Sequence, residues 1–360
     1  MGIASTEERA TGTGTGTGVG PLAGLKVVEL AAIGPGPFAC MMLADLGAEV
    51  TRIDRADGRR SFEEWHQVLD RGRRARALDL KDPAGVAEVL DLVADADILV
   101  EGFRPGVAER LGLGPDACRE RNPRLVYARM TGWGQDGPLA QVPGHDINYL
   151  ALTGALDAIG EPGGPPVPPV NFLGDFAGGS MFLVAGVLAA LYERQRTGLG
   201  QVVDAAIVDG VGALLGMLVG MSAAGQWRPE RGANLLDGGA PFYTCYACAD
   251  GGYVAVGALE ERFYAALVRG LGLDGEGLLP DRADSANWTA IRREFEDRFA
   301  ARDRDHWARL FEDTEACVTP VLSVAEAAAH PHHRARDSGP AAVAPRFSRG
   351  PAGLHRPRAR

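Results

Sequence analysis

From residue 21 onward the chain alternates short apolar runs with longer stretches in which apolar positions recur at helical spacing. Leu25-Lys26-Val27-Val28-Glu29-Leu30 predicts a buried strand, Pro37 to Leu46 a helix stopped by Gly47, and Ala48 to Ile53 a second strand. Arg76 to Leu80 reads as a short strand, Pro83 to Ala94 as a helix, and Asp97 to Glu101 and Leu125 to Met130 as further strands. Such alternation predicts an α/β fold with a mostly parallel sheet covered by helices. Gly160 to Pro169, rich in Gly and Pro, must be an exposed loop. A long helix is expected from Ser180 to about Arg196, capped by Gly198, with buried apolar segments at Gln201 to Ile207 and Val211 to Met221.

The pattern changes near Gly225. Short strands such as Tyr253 to Val256 then alternate with charged helices, Trp288 to Phe299 and Arg304 to Phe311, as in a smaller α+β domain. The expected division is a disordered extension at 1–20, a large domain at 21–225, a small domain at 226–318, and a last segment at 319–360. That segment ends in a basic, Pro-rich tail from Pro340 that should be loosely held.

Composition narrows the function. Of 360 residues, 46% are hydrophobic and 23% charged, the balance of a soluble globular protein. A net charge of −10 argues against a general nucleic-acid binder. The first residues, with a Thr-Gly repeat from Thr11 to Gly18, lack the features of a targeting signal. The longest apolar run, Met181 to Tyr192, is too short to span a bilayer. Five scattered cysteines, Cys40, Cys118, Cys245, Cys248 and Cys317, fit a reducing compartment, and a cytoplasmic protein is expected. Cys245-x-x-Cys248 has no second half and reads as two ordinary cysteines.

Two features carry chemistry. Gly34-Pro35-Gly36-Pro37-Phe38-Ala39 fits a dinucleotide fingerprint by spacing, with Asp54 downstream. Pro35 and Pro37 lack the N–H groups a pyrophosphate needs, so a tight strand-to-helix turn is the better reading. The second feature is stronger. His145, after Gly144, and Asp175, after Gly174, offer an imidazole and a carboxyl group, the latter leading into an apolar helix. Proton removal from carbon needs such a pair, with backbone amides, here those of Phe176, Gly178 and Gly179, to hold the enolate oxygen. Ser180 lacks the pattern of a hydrolase nucleophile. His66, His306, His330, His332, His333 and His355 read as surface or structural histidines.

The segments Pro21–Leu30, Gly34–Phe38, Ala44–Val50, Tyr127–Gln135, Gly200–Ala205, Asn234–Tyr243 and Cys317–Leu322, with the His145 and Asp175 motifs, resemble the class III CoA-transferase superfamily and, within it, the α-methylacyl-CoA racemases. The resemblance covers roughly Pro21 to Leu322. It implies a Rossmann-like large domain, a smaller α+β domain and two protomers interlocked as a homodimer. It also implies an acyl-CoA thioester substrate, with CoA part of the substrate and no metal or other cofactor. Members often run further than Arg360.

By the same resemblance His145 and Asp175 serve opposite faces of the α-carbon. Glu260 orients the histidine, and reaches it across the dimer if the interlock requires; Asp146 and Tyr243 support the pair. Arg55, Leu78, Asp79, Leu80, Lys81, Gly144, Ile147, Asn148 and Tyr149 match positions that line CoA, and Arg104, Arg110 and one or two members of the Arg71–Arg76 run are further candidates for its phosphates. The rival reading is a CoA-transferase with Asp175 as nucleophile. His145, where transferases commonly carry a non-basic residue, favours the racemase. A CoA-binding protein without catalysis is disfavoured by the intact His145, Asp175 and Glu260 set.

Overall fold

The computed structural model describes residues 20–30, 32–57, 68–339 and 341–349. The Thr11–Gly18 repeat, His66, Pro340 and residues 350–360, with His355, lie outside the described residues. The described residues form two compact units, one within 20–149, 171–213 and 343–349, the other within 150–170 and 214–342.

The first unit holds β1 (Lys26–Leu30), α1 (Pro35–Asp45), β2 (Glu49–Arg55), β3 (Arg73–Leu78), α2 (Pro83–Ala94), β4 (Ile98–Glu101), α3 (Val107–Arg110), α4 (Pro115–Arg121) and β5 (Val126–Thr131). After the start of α5 (Asp146–Thr153) come a π-helical stretch (Phe172–Met181), α6 (Phe182–Thr197), β6 (Val202–Ala206) and most of α7 (Ile207–Leu214). The six strands pair in parallel in the order β3-β2-β1-β4-β5-β6, the Rossmann order. The expected Rossmann-like sheet is therefore present.

Its helices start where local chemistry dictates. Asp82 accepts the Ala84 N–H ahead of Pro83, so α2 keeps its expected bounds. α1 begins two residues earlier than expected, because a proline is well suited to the first helical position and Pro35 takes it. Val28, Leu30, Ile53, Val89, Val93, Leu99 and Tyr127 form the core between the sheet and α2.

The third strand occupies 73–78 rather than 76–80, in register from Val50↔Arg73 to Arg55↔Leu78. A buried ion pair sets this. Arg73, its side chain fully buried, reaches Glu29 at 2.5 Å and Asp70 at 2.9 Å, and Glu29 is itself inside the sheet. Arg71 pairs with Asp45 and Arg76 with Glu88. The arginine run is thus largely engaged with the protein's own carboxylates. Arg73 in particular is held inside the protein by Glu29 and Asp70 and is not one of the members of the run open to a phosphate.

The helical rise after the Gly/Pro-rich loop begins at Phe172, eight residues before the expected Ser180, as a wide π-helical stretch. With α6 it forms one run, Phe172–Thr197, long and apolar enough to cross a membrane by length and composition. The apolar stretch judged too short is thus part of a longer helix. Leu183, Val184, Val187, Ala190 and Leu191 of that helix are buried in the unit, and Arg194 ties its end to Asp97 at 2.8 Å.

The second unit contains α8 (Gly216–Ala223), an antiparallel sheet of β7 (Tyr243–Ala247), β8 (Tyr253–Gly257) and, after three helices, β9 (Val318–Pro320). The helices are α9 (Glu261–Gly270), α10 (Trp288–Phe299) and α11 (Arg304–Phe311); α12 (Val324–Ala329) and α13 (Pro331–Arg336) follow β9. Its core is aromatic, with Tyr246 stacked on Phe299 at 5.0 Å and Trp307 edge-on to Phe299 at 5.2 Å. Residues 150–170 group here through Arg231, which binds Asp157 at 2.6 Å and the Gly164 carbonyl at 3.0 Å. β9 pairs with β8, so 319–342 also group here, unlike the expected boundaries at 225 and 318.

Candidate functional site

In open parallel sheets ligands bind beyond the carboxyl ends of the strands, where the strand order reverses. In this sheet that point lies between β1 and β4. The Gly34 turn leaves β1 there, and its φ of +68° explains the glycine. A Cβ on Gly34 would lie 3.2 Å from Asp175 Oδ2, so the turn packs directly on that carboxyl group. Phe38 stacks on Phe176 at 4.4 Å, and Ser180 Oγ donates to the Pro35 carbonyl at 2.8 Å. The tight-turn reading of the Gly34 motif holds, and the group seated on the turn is Asp175.

Asp146 joins the two halves of the site. Its Oδ1 accepts the Asp175 N–H at 2.6 Å, and the Gly174 N–H also points to it. Only glycine fits at 174, since a Cβ there would sit 2.2 Å from Asp146 Oδ1. Because His145 immediately precedes Asp146, this contact draws the imidazole-bearing residue and Asp175 to one place. Burial pushes the Asp146 carboxyl up, the two amides pull it back, and its Oδ2 is buried without a hydrogen-bond partner among the described residues.

The loop carrying His145 is braced by two aromatic rings. Trp133 Nε1 donates to the Val142 carbonyl at 3.0 Å, and Tyr149 Oη donates to the Gly144 carbonyl at 2.6 Å. The rings meet edge to face at 4.7 Å, over Gly132, where a Cβ would overlap Tyr149. Asn148 Oδ1 accepts the His145 N–H at 3.0 Å, and the His145 carbonyl accepts the Asn148 N–H at 2.8 Å. His145 itself is exposed at the start of α5.

The environment of Asp175 favours the protonated acid. Burial is the largest cause and raises its pKa; a hydrogen bond from Asn171 Nδ2 at 3.2 Å lowers it, the Asp146 charge raises it and His145 lowers it. Asn171 was not foreseen. Its spacing of four residues from Asp175 on a helix was the available signal.

The amides expected at an enolate oxygen lie within this π-helical stretch. In a π-helix each N–H pairs with the carbonyl five residues earlier. The N–H groups of Phe176, Gly178 and Gly179 therefore belong to the ladder of residues 171–181. Gly178 faces Val211 and Gly179 faces Ile207, Pro35 and Met130, so both glycines serve close packing.

The other expected residues are distributed as follows. Tyr149 is nearly buried and its hydroxyl is pushed up to about 12, by burial first and then by the Asp175 charge, with Arg104 opposing. Ile147 is exposed beside it. Arg55, at the end of β2, is exposed and pairs with Asp57. Leu78 and Leu80 pack against the core, while Asp79 accepts the Lys81 N–H at 2.9 Å in the turn before α2. Arg104 and Arg110 are exposed on either side of α3's start. Glu260 and Tyr243 belong to the second unit, Glu260 at the N-cap of α9 and Tyr243 at the start of β7. No cluster of metal-ligating side chains occurs among the described residues.

The sequence pattern of CoA-transferase family III matches residues 22–343. The chain is 48% identical to α-methylacyl-CoA racemase of Mus musculus over 317 residues, covering 88% of this chain and 82% of that protein. It is 46% identical to α-methylacyl-CoA racemase of Homo sapiens, with the same coverage. Among solved structures, a CAIB/BAIF family protein from Brucella suis has a TM-score of 0.76 at 29% identity, covering 88% of each chain.

Proposed function

Since the chain belongs to CoA-transferase family III, we propose that it is a racemase that interconverts the 2R and 2S forms of 2-methyl-branched acyl-CoA thioesters. The observation that carries this is the Asp146–Asp175 hydrogen bond, which brings the His145 loop to a half-buried carboxyl group held toward its acid form. For one epimer the neutral imidazole of His145 removes the α-proton. The electron pair moves into the thioester carbonyl as an enolate, and Asp175 delivers a proton to the opposite face of the carbon. The reverse reaction exchanges the roles. Asn171 keeps Asp175 able to ionise again, while Gly34 and Asp146 fix where the acid stands. Glu260 is assigned as the carboxylate that orients the imidazole, with Tyr243 in support. Arg55, Lys81, Arg104 and Arg110 are the cations assigned to the CoA phosphates, beside the chain at Leu78–Leu80 and residues 144–149.

The protein is further proposed to act as a homodimer in the cytoplasm. In α8 no residue is buried although the helix is apolar, and Met217 and Val219 are 65% and 60% exposed, as expected of a surface awaiting a second copy. Free cysteines fit a reducing compartment.

The test incubates the protein with a single epimer of a 2-methylacyl-CoA in deuterium oxide. Epimerisation with deuterium uptake at the α-carbon, lost in His145→Ala and Asp175→Asn, is the expected result. CoA transfer to an added carboxylic acid without α-exchange would instead establish Asp175 as a nucleophile and overturn the racemase assignment.

A further inference from the structure

Glu260 occupies the N-cap of α9 yet makes no cap bond with its own carboxylate, unlike Asp82 and Asp284 at the equivalent positions of other helices. Its backbone is extended, with φ −75° and ψ 152°, and its carbonyl receives the Phe263 and Tyr264 N–H groups. An N-cap acid that does not cap is available for other work, provided something else fixes the chain around it. That something is Arg282.

Arg282 Nη1 donates to the Ala258 carbonyl at 3.2 Å and to the Leu259 carbonyl at 3.0 Å, and Nη2 reaches the Glu261 carboxylate at 2.9 Å. One guanidinium therefore grips residues on both sides of Glu260. The side chain is mostly buried, 4.4 Å from the Tyr264 ring and 4.9 Å from the Phe242 ring, which meet each other edge to face at 5.8 Å. Its own backbone is held in turn, because Trp288 Nε1 donates to the Arg282 carbonyl at 2.9 Å. On the other edge, the Ala258 N–H donates to Phe242 O at 2.8 Å. The Glu261 carboxylate is largely exposed, so that ion pair contributes little; the two carbonyl bonds and the contacts with both rings do the holding.

We infer that Arg282 is a positioning residue for Glu260, fixing the chain from which that carboxylate projects. The inference rests on the catalytic-support reading of Glu260 above. Lysine at 282 keeps the charge but presents a point donor that cannot fork to two carbonyls and the Glu261 carboxylate while packing a planar group against both rings.

The experiment measures kcat and KM for epimerisation in Arg282→Lys and Arg282→Gln, each also combined with Glu260→Ala, with thermal unfolding recorded for all. The expected result is folded variants whose kcat falls about 10- to 100-fold with KM nearly unchanged, the effect of a displaced catalytic group. In the Glu260→Ala background the same substitutions should add almost nothing, because the group they position is gone. An equal loss in both backgrounds, a loss confined to KM, full activity in folded variants, or failure of both variants to fold would each overturn the proposal. If Glu260→Ala alone leaves the rate unchanged, the reading of Glu260 fails, and the proposal with it, in a way the single variant reveals separately.

Discussion

Gly174→Ala is the sharpest probe of the geometry on which the proposed chemistry depends. The new methyl carbon would stand 2.2 Å from Asp146 Oδ1 and 2.8 Å from its Cγ. Ordinary carbon–oxygen contact is more than 3 Å, so either the carboxylate or the π-helical stretch must shift by about 1 Å, within a close-packed region. Asp146 cannot yield freely, because Oδ1 receives the Asp175 N–H at 2.6 Å. Losing that charge-assisted bond costs about 1.5–3 kcal/mol. A displacement of about 1 Å between a proton carrier and the reacting carbon lowers the rate about 100-fold. Gly174→Ala is therefore expected to lose that factor in kcat for both epimers, with a modestly lowered unfolding midpoint. α-Deuterium exchange from each pure epimer, with parallel thermal melts, is the assay. In an Asp146→Gly background the oxygen is absent, and the same substitution should cost much less further stability. A stable Gly174→Ala protein with kcat within threefold of the parent would refute the claim that the Asp146–Asp175 contact sets the site.

Three other substitutions test separate parts of the picture. Asn171→Ala removes the donor that favours ionised Asp175, so the Asp175 pKa rises further; for the epimer Asp175 deprotonates, the acidic limb of kcat/KM should move to higher pH. Because the folded protein holds the Asp175 proton more tightly than the unfolded chain, its contribution to stability is full below the ordinary carboxylate range and lost as pH rises through the raised pKa. Asp175→Asn should accordingly gain stability relative to the parent as pH increases through that window, and urea melts from pH 4 to 8 that run parallel would contradict this. Arg73→Ala strands Glu29 inside the sheet and should cost about 3–5 kcal/mol in urea unfolding, most of it recovered in an Arg73→Met, Glu29→Leu double variant. An Arg73→Ala protein as stable as the parent would mean that the buried pair is dispensable.

The sequence by itself determined the layered α/β plan, since apolar runs and helical spacing are local and their periods differ. It located β1, α2, β4 and β5 to within a residue or so, and it singled out His145 and Asp175 because each stands beside a glycine and the second leads into an apolar helix. The tertiary structure alone decided what those glycines are for. Gly174 makes room for Asp146, Gly34 for the Asp175 carboxyl, and Gly178 and Gly179 for α7 and its neighbours. The same holds for Arg73, Asn171 and Arg282, whose partners lie elsewhere on the chain or across a helical turn. Charge in a sequence has no direction. Whether an arginine meets solvent, phosphate or a buried glutamate depends on distances that appear only when remote segments are packed, and there desolvation and hydrogen bonding fix both its partner and its role.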